Sequence, residues 1–221
     1  MEINYICSLG TLCHSSWYLK ENKLKLCSYP FDWIISSPDS IIDCLNDDFS
    51  KFLDKSYYIK KRKSYCTHSY YSTKKFQNTR FIHHNPLENE KDYKYYERCV
   101  NRFRNLLKLK ESKLFMVTLF RKSCIICGKV HNVNYNDKIK EKIFELNDTL
   151  KKYTSNFILL VIINYPNKEM NNFNFLEFEN VHFLELYTLS KSNGKKFIND
   201  IDNEYLKNLI NKKYNFTPLV I

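Results

Sequence analysis

Cys13 lies where a protein would hold a nucleophilic thiol. It is near the start of a helix predicted over about 11–20, with Thr11 as the capping residue. The dipole and the orphan N–H groups of a first helical turn favour a thiolate, which is the reactive form of cysteine. The alternative interpretation is a thiol packed on the inward face of the helix.

Two adjacent histidines are the candidates for the base that would activate Cys13. Imidazole is the side chain that titrates near neutral pH. We predict that His84 has this role, because Pro86 would rigidify the turn after it. His83 competes, because neighbouring residues of an extended segment point to opposite sides. A pair of surface histidines in a loop is the alternative.

Asp32 is the candidate for the acid that orients the base. It lies between Phe31 and Trp33, in a segment so apolar that a buried carboxylate there should be paired or hydrogen-bonded. A carboxylate in that setting can orient a histidine, as the acid of a catalytic triad does. A turn-forming or helix-capping aspartate is the alternative.

The order of predicted elements indicates an α/β fold that would bring these residues together. We expect a single domain over residues 1–221, with a mostly parallel sheet of about four to five strands flanked by helices. The segment 157–163 is apolar on both faces, as in parallel strands covered by helices. Residues 54–90 are expected to form an irregular lobe rich in Tyr and Lys. The predicted strands are 3–8, 113–120, 156–164 and 181–187, and the predicted helices are 11–20, 37–52, 92–108, 137–152 and 202–213.

Ser8 is a second candidate nucleophile at the end of the first predicted strand. In open α/β sheets ligands bind at the carboxyl ends of the strands, so the turn from Ser8 through Gly10 to Cys13 is the predicted site. The sequence Ser8-Leu9-Gly10 partly matches hydrolases of the Gly-Asp-Ser-Leu type. An esterase-like or glycan-modifying enzyme that uses Ser8 is therefore an alternative function.

Cys124, Cys127 and His131 have the spacing of a zinc knuckle, but a structural zinc needs four ligands. The nearest remote candidates are Cys66 and His68. We favour a plain hairpin or loop here, and we expect the protein to use no metal or cofactor.

The composition is that of a globular, basic chain. Its 221 residues are 43% hydrophobic and 16% aromatic, and its net charge is +11. The charge invites a nucleic-acid interpretation, and the run 60–63 with its neighbouring tyrosines could grip a phosphate backbone. However, Lys far outnumbers Arg, as expected from an AT-rich genome. We therefore expect a peptide or small-molecule substrate, with a non-catalytic viral or host interaction protein as an alternative.

No apolar run approaches the length of a membrane span, and residues 1–5 lack the start of a signal peptide. The sequence therefore predicts a cytoplasmic protein without a membrane partner.

Four segments together resemble the papain-like cysteine peptidase domain of unknown function that is found in large DNA viruses and bacteria. These are Ser8-Leu-Gly-Thr-Leu-Cys13, Ser28-Tyr-Pro-Phe-Asp-Trp-Ile34, Phe81-Ile-His-His-Asn85 and Tyr95-Tyr-Glu-Arg-Cys-Val-Asn-Arg-Phe103. The resemblance implies a Cys–His hydrolase in which Cys13 matches the nucleophile, His84 the base and Asp32 the acid. It also implies a papain-like α+β arrangement, with the histidine on antiparallel strands that follow the cysteine helix.

Overall fold

The computed structural model describes most of the chain, namely residues 1–62, 65–73, 79–121, 124–126, 129–131, 137–166 and 169–219. Its helices are α1 His14–Glu21, α2 Pro38–Asn46, α3 Ser50–Leu53, α4 Glu90–Lys108, α5 Asp137–Lys151 and α6 Asp200–Lys213, with short 3-10 turns at Lys55–Tyr57 and Tyr70–Ser72. Its strands are β1 Glu2–Ile3, β2 Tyr5–Ser8, β3 Ile34–Ile35, β4 Tyr58–Arg62, β5 Tyr65–His68, β6 Arg80–Phe81, β7 Lys113–Phe120, β8 Cys124–Ile126, β9 Lys129–His131, β10 Phe157–Pro166, β11 Asn172–Phe178, β12 Val181–Thr188 and β13 Asn215–Phe216.

A five-stranded mixed sheet forms the centre of this α/β fold, in the order β11-β12-β10-β7-β2. The β2–β7, β7–β10 and β10–β12 pairs are parallel, and β11 is antiparallel to β12. The prediction of an α/β sheet of about four to five strands is confirmed in outline, with an antiparallel edge added. The strand β11 was not predicted. Most of its residues are exposed, so it lacks the continuous apolar run of the central strands.

The central sheet separates two apolar clusters. Phe115 and Val117 of β7 belong to one cluster, which also contains residues of α2, α4 and α5. Leu114 and Met116 belong to the other, which contains residues of α1 and α6. Successive residues of a strand point to opposite faces, so helices on both faces explain why β7 is buried along its whole length.

A second sheet of four strands, in the order β3-β6-β5-β4, corrects the expectation of an irregular lobe at 54–90. Its pairs are antiparallel. Tyr58, Cys66 and Phe81 are buried in the core cluster, so this sheet contributes to the core. Lys60 of the basic run is ion-paired with Glu88. These strands are too short to show a periodicity in the sequence.

Ser37 begins α2 as the sequence predicts. Its hydroxyl accepts a hydrogen bond from the Ser40 N–H at 3.2 Å, and the Ser40 hydroxyl oxygen accepts one from the Ser37 N–H at 2.9 Å. The predicted helix to residue 52 is interrupted, however. Asp48 and Phe49 have positive φ angles of 50° and 61°, and α3 begins after them.

The zinc-knuckle segment forms a hairpin in the part that the structure describes. The strands β8 and β9 are antiparallel, with Cys124 paired to His131. Cys127 lies outside the described residues. Among the described residues, no group of three or more His, Cys, Asp or Glu side chains is arranged to hold a metal ion. No helix in the described ranges is both long enough and apolar enough to cross a bilayer.

Asp202 of α6 anchors the loop that leads from β12 to this helix. Its buried carboxylate accepts hydrogen bonds from the Leu189 N–H at 2.9 Å, the Ser190 N–H at 2.8 Å and the Ser190 hydroxyl at 2.6 Å. Asp202→Ala is expected to lower the free energy of unfolding by about 2–4 kcal/mol, because three donors lose their acceptor. Urea denaturation measures this change. Asp200→Ala on the same helical turn is the matched control, since Asp200 is exposed, and an equal loss there would contradict the anchoring role.

Candidate active site

The turn between β2 and α1 is built around Gly10. Gly10 has a φ of 77°, and a Cβ there would lie 2.6 Å from the Phe31 carbonyl oxygen, so only glycine permits this close approach. Thr11 also has a positive φ of 70°, and its hydroxyl donates to the Thr118 carbonyl of β7. The predicted cap at Thr11 is therefore wrong. The helix α1 begins at His14, and Cys13 is its N-cap residue.

The turn is also tied to the loop 29–36, which carries Asp32. The Thr11 N–H donates to the Ser36 hydroxyl at 3.2 Å, and the Ser36 N–H donates to the Thr11 carbonyl at 3.4 Å. The close approach of Gly10 to Phe31 brings two of the segments that resemble the peptidase family into direct contact. Together with the bond to β7, these contacts fix the position of Cys13 at the carboxyl end of the parallel strands.

Cys13 and His83 form the contact that defines the candidate site. Cys13 is buried, and its Sγ lies 3.4 Å from Nε2 of His83, which is exposed. His83 follows β6, so the second sheet delivers its imidazole to the start of α1. Two groups at this distance can share a proton, either from a thiol to a neutral ring or from an imidazolium to a thiolate.

The surroundings of His83 favour its neutral form. Partial burial lowers the pKa of His83 below its ordinary value of 6.5, and electrostatic repulsion from His84 and Lys195 lowers it further. A neutral imidazole at physiological pH has a lone pair available, so the ring is in the form that can accept the proton of a thiol.

His84 contacts a different part of the molecule. Its Nδ1 lies 3.1 Å from Oδ1 of Asp92 on α4, and its ring stacks on Tyr95 with a centroid separation of 4.0 Å. The other oxygen of Asp92 accepts a hydrogen bond from the Asn85 N–H at 2.7 Å. The structure therefore brings His83 to Cys13 and packs His84 against α4. His84 was the first candidate for the base, and His83 was the competing candidate. The expected divergence of neighbouring side chains is observed.

Asp32 is buried, as its apolar setting predicts, and it is paired. Its Oδ2 forms an ion pair with Lys25 and accepts a hydrogen bond from the Tyr29 N–H at 2.9 Å. Burial raises the pKa of Asp32, and the neighbouring Lys25 ammonium opposes that rise. Within the described residues, the structure brings Asp32 to Lys25 and does not bring it to His83 or His84.

Ser8, the alternative nucleophile, is enclosed. Its side chain is completely buried, and its hydroxyl oxygen accepts a hydrogen bond from the Gly10 N–H at 3.2 Å. This bond closes the turn after β2, which is a structural task. A substrate would have to displace the turn to reach the Ser8 hydroxyl, so the geometry disfavours an esterase-like reaction at Ser8.

Two residues near the candidate site were not singled out by the sequence analysis. Trp33 packs perpendicular to the His83 ring, and Lys25 lies over the face of Trp33. The apolar segment around Asp32 contains the signal that could have found Lys25, because a buried carboxylate requires a cation or donors nearby. The sequence does not show which cation pairs with Asp32, because the chain has to turn back between Lys25 and Asp32 to bring the two side chains together.

Comparison with known proteins shows the family of this chain. A family model described as "Putative papain-like cysteine peptidase" matches residues 4–164. The chain belongs to this family. The matched region includes Cys13, Asp32, His83 and His84, and it ends before β11. Neither the curated proteins nor the solved structures include a significant match.

Proposed function

We propose that the chain is a cysteine hydrolase of the peptidase type, with Cys13 as the nucleophile and His83 as the general base. The observation that carries the proposal is the distance of 3.4 Å between Cys13 Sγ and His83 Nε2. The substrate class is an acyl compound, either a peptide or a small molecule. The proposed chemistry uses no metal or cofactor, and neither a nucleic acid nor a membrane is the proposed partner.

The proposed reaction has two stages. His83 Nε2 takes the proton of the Cys13 thiol, and the thiolate attacks the carbonyl carbon of the substrate. When the bond to the leaving group breaks, the leaving group takes the proton from His83, and a thioester remains on Cys13. His83 then takes a proton from water, the resulting hydroxide attacks the thioester, and the proton returns to Cys13 as the acid is released.

The start of α1 suits the charge that develops in both stages. Attack on the carbonyl places a negative charge on its oxygen next to the N-terminal end of this eight-residue helix. The N–H groups of a first helical turn carry a partial positive charge, so they stabilise both the thiolate and the oxyanion.

A thiol-reactivity experiment tests the proposal. At about pH 6 an ordinary thiol is almost wholly protonated and therefore unreactive. With limiting iodoacetamide, we expect Cys13 to be alkylated ahead of Cys27, because His83 takes its proton. Burial alone predicts the opposite order, since Cys13 is 5% exposed and Cys27 is half-buried. Peptide mass spectrometry of the folded protein measures the order of labelling.

The matched control for this experiment is His83→Gln, which keeps a polar side chain of similar size but cannot act as a base. It is expected to remove the advantage of Cys13 over Cys27. If Cys27 is labelled first in the unmodified protein, Cys13 is an ordinary packed thiol and the proposal is wrong.

A further inference from the structure

We infer that Trp33 is a positioning residue that keeps the His83 ring turned toward Cys13, and that the buried pair of Lys25 and Asp32 holds Trp33 in place. The inference rests on the proposed function, because it explains how an exposed imidazole stays aligned with a buried thiol. It also gives Asp32 a role that differs from that of the acid in a triad.

The contact between Trp33 and His83 is the first step. The two rings are 5.5 Å apart between centroids, with an angle of 72° between their planes. His83 is exposed, so its ring is not enclosed by the core and depends on contacts such as this one for its orientation. A perpendicular aromatic contact is directional, and it favours the ring orientation in which Nε2 lies at Cys13.

The contact between Trp33 and Lys25 is the second step. The Lys25 ammonium lies 4.8 Å from the Trp33 ring centroid, within the range of a cation–π interaction. The same ammonium is ion-paired with Asp32, and the two side chains are only 13% and 2% exposed. Asp32 is itself fixed by the Tyr29 N–H at 2.9 Å. A flexible lysine is thus held over the indole ring by a buried carboxylate.

The charge of this pair is the third step. A lone lysine near His83 would oppose formation of the imidazolium during proton transfer. Asp32 balances the charge of Lys25, so the ion pair that contacts Trp33 adds no net charge near His83. Among the described residues, His84 and Lys195 are the groups whose electrostatic repulsion lowers the pKa of His83. An apolar residue over Trp33 would not make the cation–π contact. An unpaired lysine would make that contact but would add a positive charge near His83.

Trp33→Leu and Trp33→Phe form a matched pair of variants for the test. The pH profile of Cys13 alkylation is recorded from about pH 5 to pH 9, and the pKa of His83 is followed by NMR. We expect Trp33→Leu to slow alkylation of Cys13 near neutral pH by about 10- to 100-fold, because the base loses its alignment. The pKa of His83 should rise toward its ordinary value as the ring becomes more hydrated. Trp33→Phe keeps an aromatic partner and should restore most of both properties.

The Lys25–Asp32 pair is tested with both residues replaced. Lys25→Met alone would leave a buried carboxylate without its cation, which destabilises the fold for reasons unrelated to His83. The double variant Lys25→Met with Asp32→Asn removes both charges and keeps an acceptor for the Tyr29 N–H. We expect it to slow Cys13 alkylation by about tenfold, in the direction of Trp33→Leu.

The outcomes separate this inference from the proposed function. One outcome is that His83→Gln slows alkylation of Cys13, while Trp33→Leu and Trp33→Phe have the same alkylation rate and the same pKa of His83. In that case Cys13 and His83 act together as proposed, and the positioning role of Trp33 is wrong. If Cys13 has no advantage over Cys27, the proposed function fails. An unchanged pKa of His83 in Trp33→Leu would then refute the positioning of the ring as well, whereas a raised pKa would support it independently of any reaction.

Discussion

His83→Ala is expected to slow acylation of Cys13 by p-nitrophenyl acetate by about 100- to 10,000-fold, the range for loss of a general base. The physical reason is that His83 Nε2 lies 3.4 Å from Cys13 Sγ. His84→Ala is the matched control in the adjacent residue. It should change the rate by less than about threefold, because His84 contacts Asp92 and Tyr95 instead. The initial release of p-nitrophenol measures the acylation rate.

A double variant, Cys13→Ala with His83→Ala, tests whether the two residues act together. Cys13→Ala should abolish the initial release, and adding His83→Ala to it should cost nothing more, because residues that act as one unit are not additive. A further loss on the Cys13→Ala background would show that His83 supports some other nucleophile. An effect of His84→Ala as large as that of His83→Ala would restore His84 as the candidate base.

The choice between the two histidines shows where sequence reasoning ends. The sequence predicts that neighbours on an extended segment diverge, and the structure shows this divergence. It does not predict which side faces Cys13, because that depends on the pairing of β6 with β3 and β5. Those strands are only two to four residues long, so their register is fixed by contacts between distant segments.

The elements that the sequence predicts well are those with a local signal. The strands β7 and β10 are apolar along nearly their whole length, and α2 begins with a capping box. The strand β11 lies at the sheet edge and most of its side chains are exposed, so it has no continuous apolar run, and the short alternation of Asn and Phe at 172–175 is its only local signal. The start of α1 was misplaced for a related reason. Thr11 has the chemistry of a cap, but its hydroxyl donates to the Thr118 carbonyl of β7, a partner that only the fold brings near.

The structure also relates the two fold interpretations to each other. The candidate nucleophile follows β2, which pairs in parallel with β7 in the mixed central sheet. The candidate base follows a strand of an antiparallel sheet further along the chain, as the family resemblance implies. The contact between Cys13 and His83 joins the segment after β2 to the segment after β6, so neither fold pattern alone predicts the site.

His14, the residue after Cys13, is expected to make the protein sensitive to acid. It is 1% exposed, and neither ring nitrogen has a hydrogen-bond partner among the described residues. Its ring packs against Phe120 and Phe197, with centroid separations of 5.5 Å and 4.6 Å. Burial lowers the pKa of His14 to about 3 from an ordinary value of 6.5. The folded protein therefore holds this imidazole neutral over a pH range in which the unfolded chain protonates it.

The sign of the effect follows from proton binding. Below about pH 6.5 the unfolded state takes up a proton at His14 that the folded state does not, so stability falls with the pH until the folded group also titrates near pH 3. The slope is about 1.4 kcal/mol per pH unit, which amounts to roughly 2.7 kcal/mol at about pH 4.5. His14→Phe and His14→Leu remove the titrating group and keep an apolar side chain, so both variants should lose this part of the acid sensitivity.

Urea denaturation between about pH 7 and pH 4 measures the effect, taken as the difference in unfolding free energy between each variant and the unmodified protein. The difference cancels the contributions of carboxylates that titrate in both proteins. It should shift in favour of the variants as the pH falls, even if the substitution costs some packing energy at neutral pH. Two variants of different shape separate packing from titration, because packing changes the offset and not the slope. If the unfolding free energies of the variants and of the unmodified protein change with pH in parallel, His14 is protonated in the folded protein as readily as in the unfolded chain. The helix that follows Cys13 would then not contain a buried neutral imidazole.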